Sequence, residues 1–463
     1  MSLMILMKMI QKLWLRYKCP SPISIRTIMQ QCFQSWKQYA ARIEYHPYDY
    51  QNHKIPWTLK TFRRTIIITF ASAVNISFLI TLVIGPEMIG LPISLNDMDH
   101  ILHVNECRIL AIYAIFTLLI LEYMWLGVFR RILRYECRVN DIFIEYSCHD
   151  NNCHYLCANI HRYFTRFILI ANIFSGMIYR LLTAGISIVF ILIVYGKILS
   201  YLHSQIHLLN IILFILIAIF VYIHTSYTFG QLFISMKYLL FMIEFFRLQS
   251  KQLLQDLLEI VLQRNTINHH HYRQQRHCKQ IIINEHLIWQ QFYRNYVKLY
   301  DDTSKLNCSL RAVFLSIEMI SKCSIIFSSI FYGQQIHWNI FNSMFVLLLM
   351  CAFHSNMAIY SRVSLIPSYN EKCWHYLCDW NARKQYYLQC RRNQLIINNN
   401  HYPLAKSFNH HTIHLNLFIQ TISMNQFGMT CGQAFFITKY KYTQLFLLNF
   451  SLILLFYKKI CLL

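Results

Sequence analysis

The chain has 463 residues, 56% of them hydrophobic and only 14% charged, with 43 Lys and Arg against 20 Asp and Glu for a formal charge of +23. Soluble domains carry about 25% charged residues, so the deficit excludes an ordinary soluble fold, and 10 Gly with 8 Pro exclude collagen-like and low-complexity classes. The positive charge is not a nucleic-acid footprint either, because the basic residues stand between membrane-length apolar runs and form no single patch.

From the amino end, Met1 to Lys18 is apolar but interrupted by Lys8 and Lys12, with no small-residue cleavage site after it. It reads as an amphipathic helix on the inner leaflet, not as a signal peptide. A helix needs about 20 apolar residues to cross the ~30 Å hydrocarbon core, and helices are the default there because they bond every backbone polar group internally. Seven spans are predicted, at Thr65 to Ile84, Ile109 to Phe129, Leu181 to Leu199, Leu208 to Thr225, Ala312 to Tyr332, Trp338 to Met357 and Tyr442 to Tyr457. An apolar stretch, Phe167 to Met177, precedes the third, with Arg180 between them.

Lys and Arg in the flanking segments set the orientation. Arg63 and Arg64 precede the first span, whereas Gly85 to Arg108 holds Glu87, Asp97, Asp99 and Glu106 against Arg108 alone. Arg130, Arg131, Arg134 and Arg138 follow the second span. The links Ser200 to His207 and Gly333 to His337 have no Lys or Arg, while Ser226 to Arg311 and Arg362 to Lys406 are rich in them. This alternation predicts a cytoplasmic amino end. The fold class is therefore all-α: a polytopic membrane protein of seven helices with cytoplasmic helical extensions. Residues 1–64 form the cytoplasmic amino-terminal segment. Residues 65–457 form the membrane domain, with cytoplasmic anchors at 226–311 and 362–433, and 458–463 form a short extracellular tail.

Within the first anchor, Leu253, Leu254, Leu257, Leu258, Val261 and Leu262 have amphipathic helix spacing, and Leu287 to Leu299 is a second such helix. Asn265 to Lys279, rich in His, Gln and Arg, is predicted to be a loop.

Chemistry has few anchors. Cys148, His149, Cys153, His154 and Cys157 lie close together, but a zinc site of paired knuckles needs a second pair that is missing, so they read as loop thiols. His269, His270, His271 and His277 read as a polar loop. No Gly-rich phosphate loop, HExxH or localised Ser/His/Asp set occurs, so neither a metal, a cofactor nor an enzymatic role is expected.

Ionisable residues inside spans mark either function or a neutralised structural pair. Glu318 and Lys322, at i and i+4 of the fifth span, share one face and are expected to pair. Glu122 and Asn75 are similar cases. Tyr113, Tyr195, Phe331, Tyr332, Trp338 and Phe341 sit in outer halves of spans. They suit an interfacial aromatic belt or the lining of an apolar ligand pocket.

The segment from Gly428, GMTCGQAFFITKYKYTQLFLLNFSLILLFYKK, resembles the last helix of the arthropod gustatory and odorant receptor superfamily. In that family a Gly and a Phe precede a final span built on T-Y, five apolar residues and Q-F. Gly432 and Phe435 hold the early positions here. Asn449 and Phe450 stand for T-Y, Ser451 to Leu455 fill the middle, and Phe456 and Tyr457 stand for Q-F. The resemblance implies a tetrameric ligand-gated cation channel of the plasma membrane, homomeric or heteromeric, opened by a small-molecule tastant and embedded in lipid. It implies a pore face on the final helix at Asn449, Ile453 and Phe456, the last favouring gating by dewetting. The aromatic set above would line the ligand pocket, and Glu318 with Lys322 would couple it to the pore. A G-protein-coupled receptor has the opposite orientation and needs D-R-Y and N-P-x-x-Y motifs not found here. A transporter, the other alternative, favours Gly/Pro-broken helices.

Overall fold

Long uninterrupted helices follow from the shortage of Gly and Pro. The computed structural model describes residues 59–84, 104–133, 156–203, 208–270, 278–333, 353–397, 404–425 and 427–449. These include α1 (Leu59–Ile84), α2 (Val104–Leu133), α3 (Ala158–His203), α4 (Leu208–His270), α5 (Cys278–Gly333), α6 (Leu365–Ile397) and α7 (Leu404–Met424). Residues 353–363 and 439–449 are also helical. The strands among the described residues are β1 (Thr430–Cys431) and β2 (Phe435–Phe436), an antiparallel pair.

Among the described residues, three helices carry stretches long and apolar enough to cross a membrane: Ile66–Ile84 in α1, Ala158–Ile188 in α3 and Ile211–Gly230 in α4. At about 1.5 Å per residue, 20 residues match the ~30 Å core. Their large apolar side chains are largely exposed, among them Ile66, Phe70, Ile80, Ile188, Ile212 and Leu216. That exposure suits a lipid surround and would be costly in water.

One expectation is extended and one needs correction. The third span expected at Leu181 to Leu199 lies wholly within α3, which also takes in Phe167 to Met177 and runs unbroken through Arg180. Arg is a good helix former, so one Arg does not interrupt the backbone. The loop expected from Asn265 is helical as far as His270. After Gly230, α4 meets neither Gly nor Pro, so no stop signal intervenes.

The α3–α4 pairing is the most extensive among the described residues and runs antiparallel. Cys157 N–H donates to Gln252 Oε1 (2.8 Å), Phe164 packs on Phe245, Phe167 on Phe241, and Ser187 bonds Tyr222 (2.9 Å). Each advance along α3 is matched, to within one residue, by a retreat along α4.

The buried core lies mainly beyond the apolar stretches, in the two predicted anchors. On α4, Leu253, Leu254 and Leu257 are buried as their spacing foretold. On α5, Trp289, Phe292, Tyr296 and Leu299 recur every three or four residues, Leu306 follows two turns later, and all are buried. Leu415, Phe418, Ile419 and Ile422 give α7 the same kind of stripe. Helices α5, α6 and α7 meet in an aromatic cluster: Trp289 stacks on Trp380 of α6 (centroids 5.2 Å) and meets Phe418 of α7 edge-on (5.8 Å). Pro367 explains why the 353–363 stretch and α6 are separate. It has no N–H, and its ring would clash with the Val363 carbonyl, so the helix breaks at Ser364.

Candidate functional site

Two polar sets sit inside otherwise apolar packing, and one joins the final described helix to the rest. On α5, one turn separates Glu318 from Lys322, and Lys322 Nζ lies 3.3 Å from Glu318 Oε1. Asn356, from the 353–363 stretch, donates its amide to Glu318 Oε2 at 3.0 Å. Lys322 also donates to the Asn449 side-chain oxygen. Glu318, Asn356 and Asn449 are all buried, so three helical elements converge on one ion pair. Removing a carboxylate and an ammonium from water is costly unless additional hydrogen bonds complete their shells. The two Asn side chains supply those bonds. Asn356 Oδ1 and Asn449 Nδ2 nonetheless lack partners among the described residues, leaving the network only partly satisfied.

Just before the 439–449 helix, the β1–β2 hairpin clasps α5. Gly432 N–H donates to the Arg311 carbonyl (2.8 Å), and Thr430 N–H donates to Asn307 Oδ1 (2.7 Å). Gly432 has φ +58°, and a Cβ there would meet Leu315 Cδ2 at 3.1 Å. The Tyr360 hydroxyl reaches the Phe314 carbonyl and Cys431 Sγ, each at 3.4 Å. The hairpin, α5 and the 353–363 stretch are thus tied together one turn from the Glu318 pair.

Among the predicted pocket residues, Tyr113 bonds Ser324 through its hydroxyl (2.8 Å) and packs its ring on Phe327, joining α2 to α5. Tyr195 is exposed on α3. Phe331 and Tyr332 close α5. Trp338, Phe341, Ile453 and Phe456 lie outside the described residues, as do Met1 to Lys18 and the cluster from Cys148 to His154. Cys157 is described, and its thiol is free and exposed. Among the described residues no group of three or more His, Cys, Asp or Glu side chains is placed to hold a metal.

One set escaped the sequence reading and another was read only in part. Glu244, fully buried, takes a two-pronged bond from Arg247 (2.8 and 2.6 Å), with Arg362 of the 353–363 stretch at 3.5 Å. Burial works against the Arg247 charge, but the Glu244 carboxylate outweighs it and holds the guanidinium above its ordinary value. A lone acid three residues before an Arg inside FMIEFFR was the available signal. The second set joins Asn75 and Glu122 through His224 of α4, a residue carrying no local signal. No protein-family model matches this sequence, and no curated protein matches it.

Proposed function

We propose that this protein is a multi-pass chemoreceptor channel of the gustatory type, with seven spans, a cytoplasmic amino end and a pore lined by its last helix. The order in which helices meet is the observation that carries the reading. A chain crossing in alternation makes consecutive spans antiparallel and alternate spans parallel. On α1 and α2, Leu82 packs near Ala111, joining the end of one helix to the start of the next. On α3 and α4 the pairing is antiparallel throughout. Phe314 and Glu318 of α5 meet Tyr360 and Asn356 in reverse order. Glu244 and Arg247 of α4 meet Arg362 and Tyr369 in the same order. Arg311 and Lys322 of α5 meet Gly432 and Asn449 in the same order. One pattern pulls the other way: Phe70 and Asn75 of α1 meet Phe220 and His224 of α4 in the same order, although spans one and four would run oppositely. Comparing the protease protection of the amino end with that of the link before α4 decides that point: opposite sides support seven alternating spans, and the same side overturns them.

In this reading a small molecule binds one arrangement of the outer helix halves better than another and shifts the population toward the open pore. The Glu318–Lys322–Asn449 network couples α5 to the pore helix. The test is voltage clamp of cells expressing the full chain, challenged with a panel of small amphipathic molecules. An evoked cation current supports the proposal; its failure with protein demonstrably at the surface defeats it. A transporter is the competing reading, favoured by the intramembrane Glu122, His224 and Asn75 set, and substrate uptake without current would establish it instead.

A further inference from the structure

Exposed basic side chains from separate helices fall at one depth in the molecule, and the contacts between helices fix that depth. Phe164 of α3 packs on Phe245 of α4, and Arg162 and Arg166, on either side of Phe164, are exposed. Arg362 of the 353–363 stretch, half-buried, reaches the neighbouring Glu244 of α4. Tyr360 meets Phe314 and Asn356 meets Glu318, so the antiparallel α5 brings its exposed Arg311 level with Arg362. Asn449 is bonded to Lys322, and ten residues before each of them stand Lys439 and Ala312. The exposed Lys439 is therefore level with Arg311.

This layer divides two kinds of surface. On one side the exposed groups are apolar: Ile170 and Phe174 on α3, Leu315 and Met319 on α5, Leu447 and Leu448 on the 439–449 helix. On the other side α5 exposes mainly polar groups, Arg294, Lys298 and Asp301 among them. The acids near this depth do not cancel the layer. Glu244 is buried and held by Arg247 and Arg362, and Glu371 of α6 is exposed with Lys372 beside it. Helix α4 is covered by its neighbours here, with Phe241 to Leu248 buried, so the outward surface belongs to the other helices.

A cationic layer between apolar and polar surface matches the edge of a bilayer, where Lys and Arg lay their stems along the apolar side and their heads against phosphate. A guanidinium can pair with a phosphate through two hydrogen bonds. The charges are spread over several helices and gather round no cavity, which suits a sheet of headgroups better than a single soluble anion. We propose that Arg162, Arg166, Arg311, Arg362 and Lys439 form a binding layer for anionic phospholipid headgroups. The proposal rests on the helices lying in a bilayer and not on channel activity.

The test is electron spin resonance of full-length protein in phosphatidylcholine vesicles holding a trace of chain-labelled phosphatidylserine or, separately, chain-labelled phosphatidylcholine. The motionally restricted fraction reads how strongly each lipid is held against the protein. Phosphatidylserine should be favoured by about two- to fivefold at low salt. In 1 M salt, where the Debye length is about 3 Å, the preference should shrink toward one. Replacing Arg166, Arg311 and Lys439 together by Gln should remove most of it. Replacing Arg294, Lys298 and Arg383 by Gln removes the same charge about 20 Å or more from the layer and should leave it intact. Equal retention of both lipids by the unaltered protein, a comparison that needs no variant, overturns the proposal. So does a preference that survives the first triple substitution, or one that falls equally in both, since net charge alone would then explain it.

Discussion

Replacing Gly432 with Ala changes one backbone angle and one contact, and the two effects can be weighed separately. At φ +58° the residue lies in the left-handed region, where an L side chain costs about 1–2 kcal/mol. The added Cβ meets Leu315 Cδ2 at 3.1 Å, but Leu315 is 38% exposed and free to rotate away, so the backbone cost dominates. A penalty of about 1–2 kcal/mol raises the population of an opened hairpin roughly 5- to 30-fold. Cys431 reports the opening, because it is fully buried and burial pushes its thiol up to about 11. Alkylation of purified full-length protein, read by peptide mass spectrometry, should therefore quicken at Cys431 by roughly that factor. Cys157, already exposed, should react at its former rate. Gly432→Asn is the control. Asn tolerates the left-handed region, so its Cys431 rate should fall well below that of the Ala variant despite the larger side chain. An Asn variant as reactive as the Ala variant, or an Ala variant indistinguishable from the parent, refutes the reasoning.

Lys322→Met should cost about 3 kcal/mol in thermal denaturation, because it strands a buried carboxylate. Adding Glu318→Gln should restore most of the loss, and simply additive losses would argue against a coupled pair. Trp380→Ala removes the ring stacked on Trp289 and should cost about 3–5 kcal/mol; a loss within the scatter of surface substitutions would show that the aromatic cluster is not a core. Asp256 is pushed up to about 6 by burial, with Glu259 adding to it. Its ordinary value is 3.8, so the folded protein holds that proton more tightly than the unfolded chain, and stability is lost as pH rises through 6. Asp256→Asn should therefore be the more stable form at pH 8, by less than about 3 kcal/mol given solvent screening. That advantage should fade as the pH is lowered to about 4, and a pH-independent difference would count against the assignment.

Hydropathy made two of the membrane-length helices legible among the described residues: Thr65 to Ile84 matches Ile66–Ile84 to within one residue, and Leu208 to Thr225 overlaps Ile211–Gly230 with ends that differ by three and five residues. Leu181 to Leu199 likewise lies within α3, and what hydropathy left unread is that the helix continues upstream through Arg180, because charge does not break a helical backbone. Composition misled at Asn265 to His270, where polarity was read as a loop although neither Gly nor Pro was present. The Glu318–Lys322 pair was legible because its partners are one turn apart. Asn356 and Asn449 were not legible as its other partners, since they come from segments brought close only by the fold. His224 was out of reach for the same reason, lying 149 positions from Asn75. Gly432 stood out as a marker of the terminal segment, but its reason, a left-handed backbone held against α5, is a property of geometry.

The continuity of α4 has a mechanical consequence. Its 63 residues make a rod of about 95 Å, of which only the first third fits within a bilayer. Clamped at one end by lipid and at the other by neighbouring helices, such a rod acts as a lever arm. Rotating it by about 3° around the bilayer midplane would sweep its distal end through roughly 4 Å. That is enough to exchange one set of side-chain contacts for the next without unwinding a single turn.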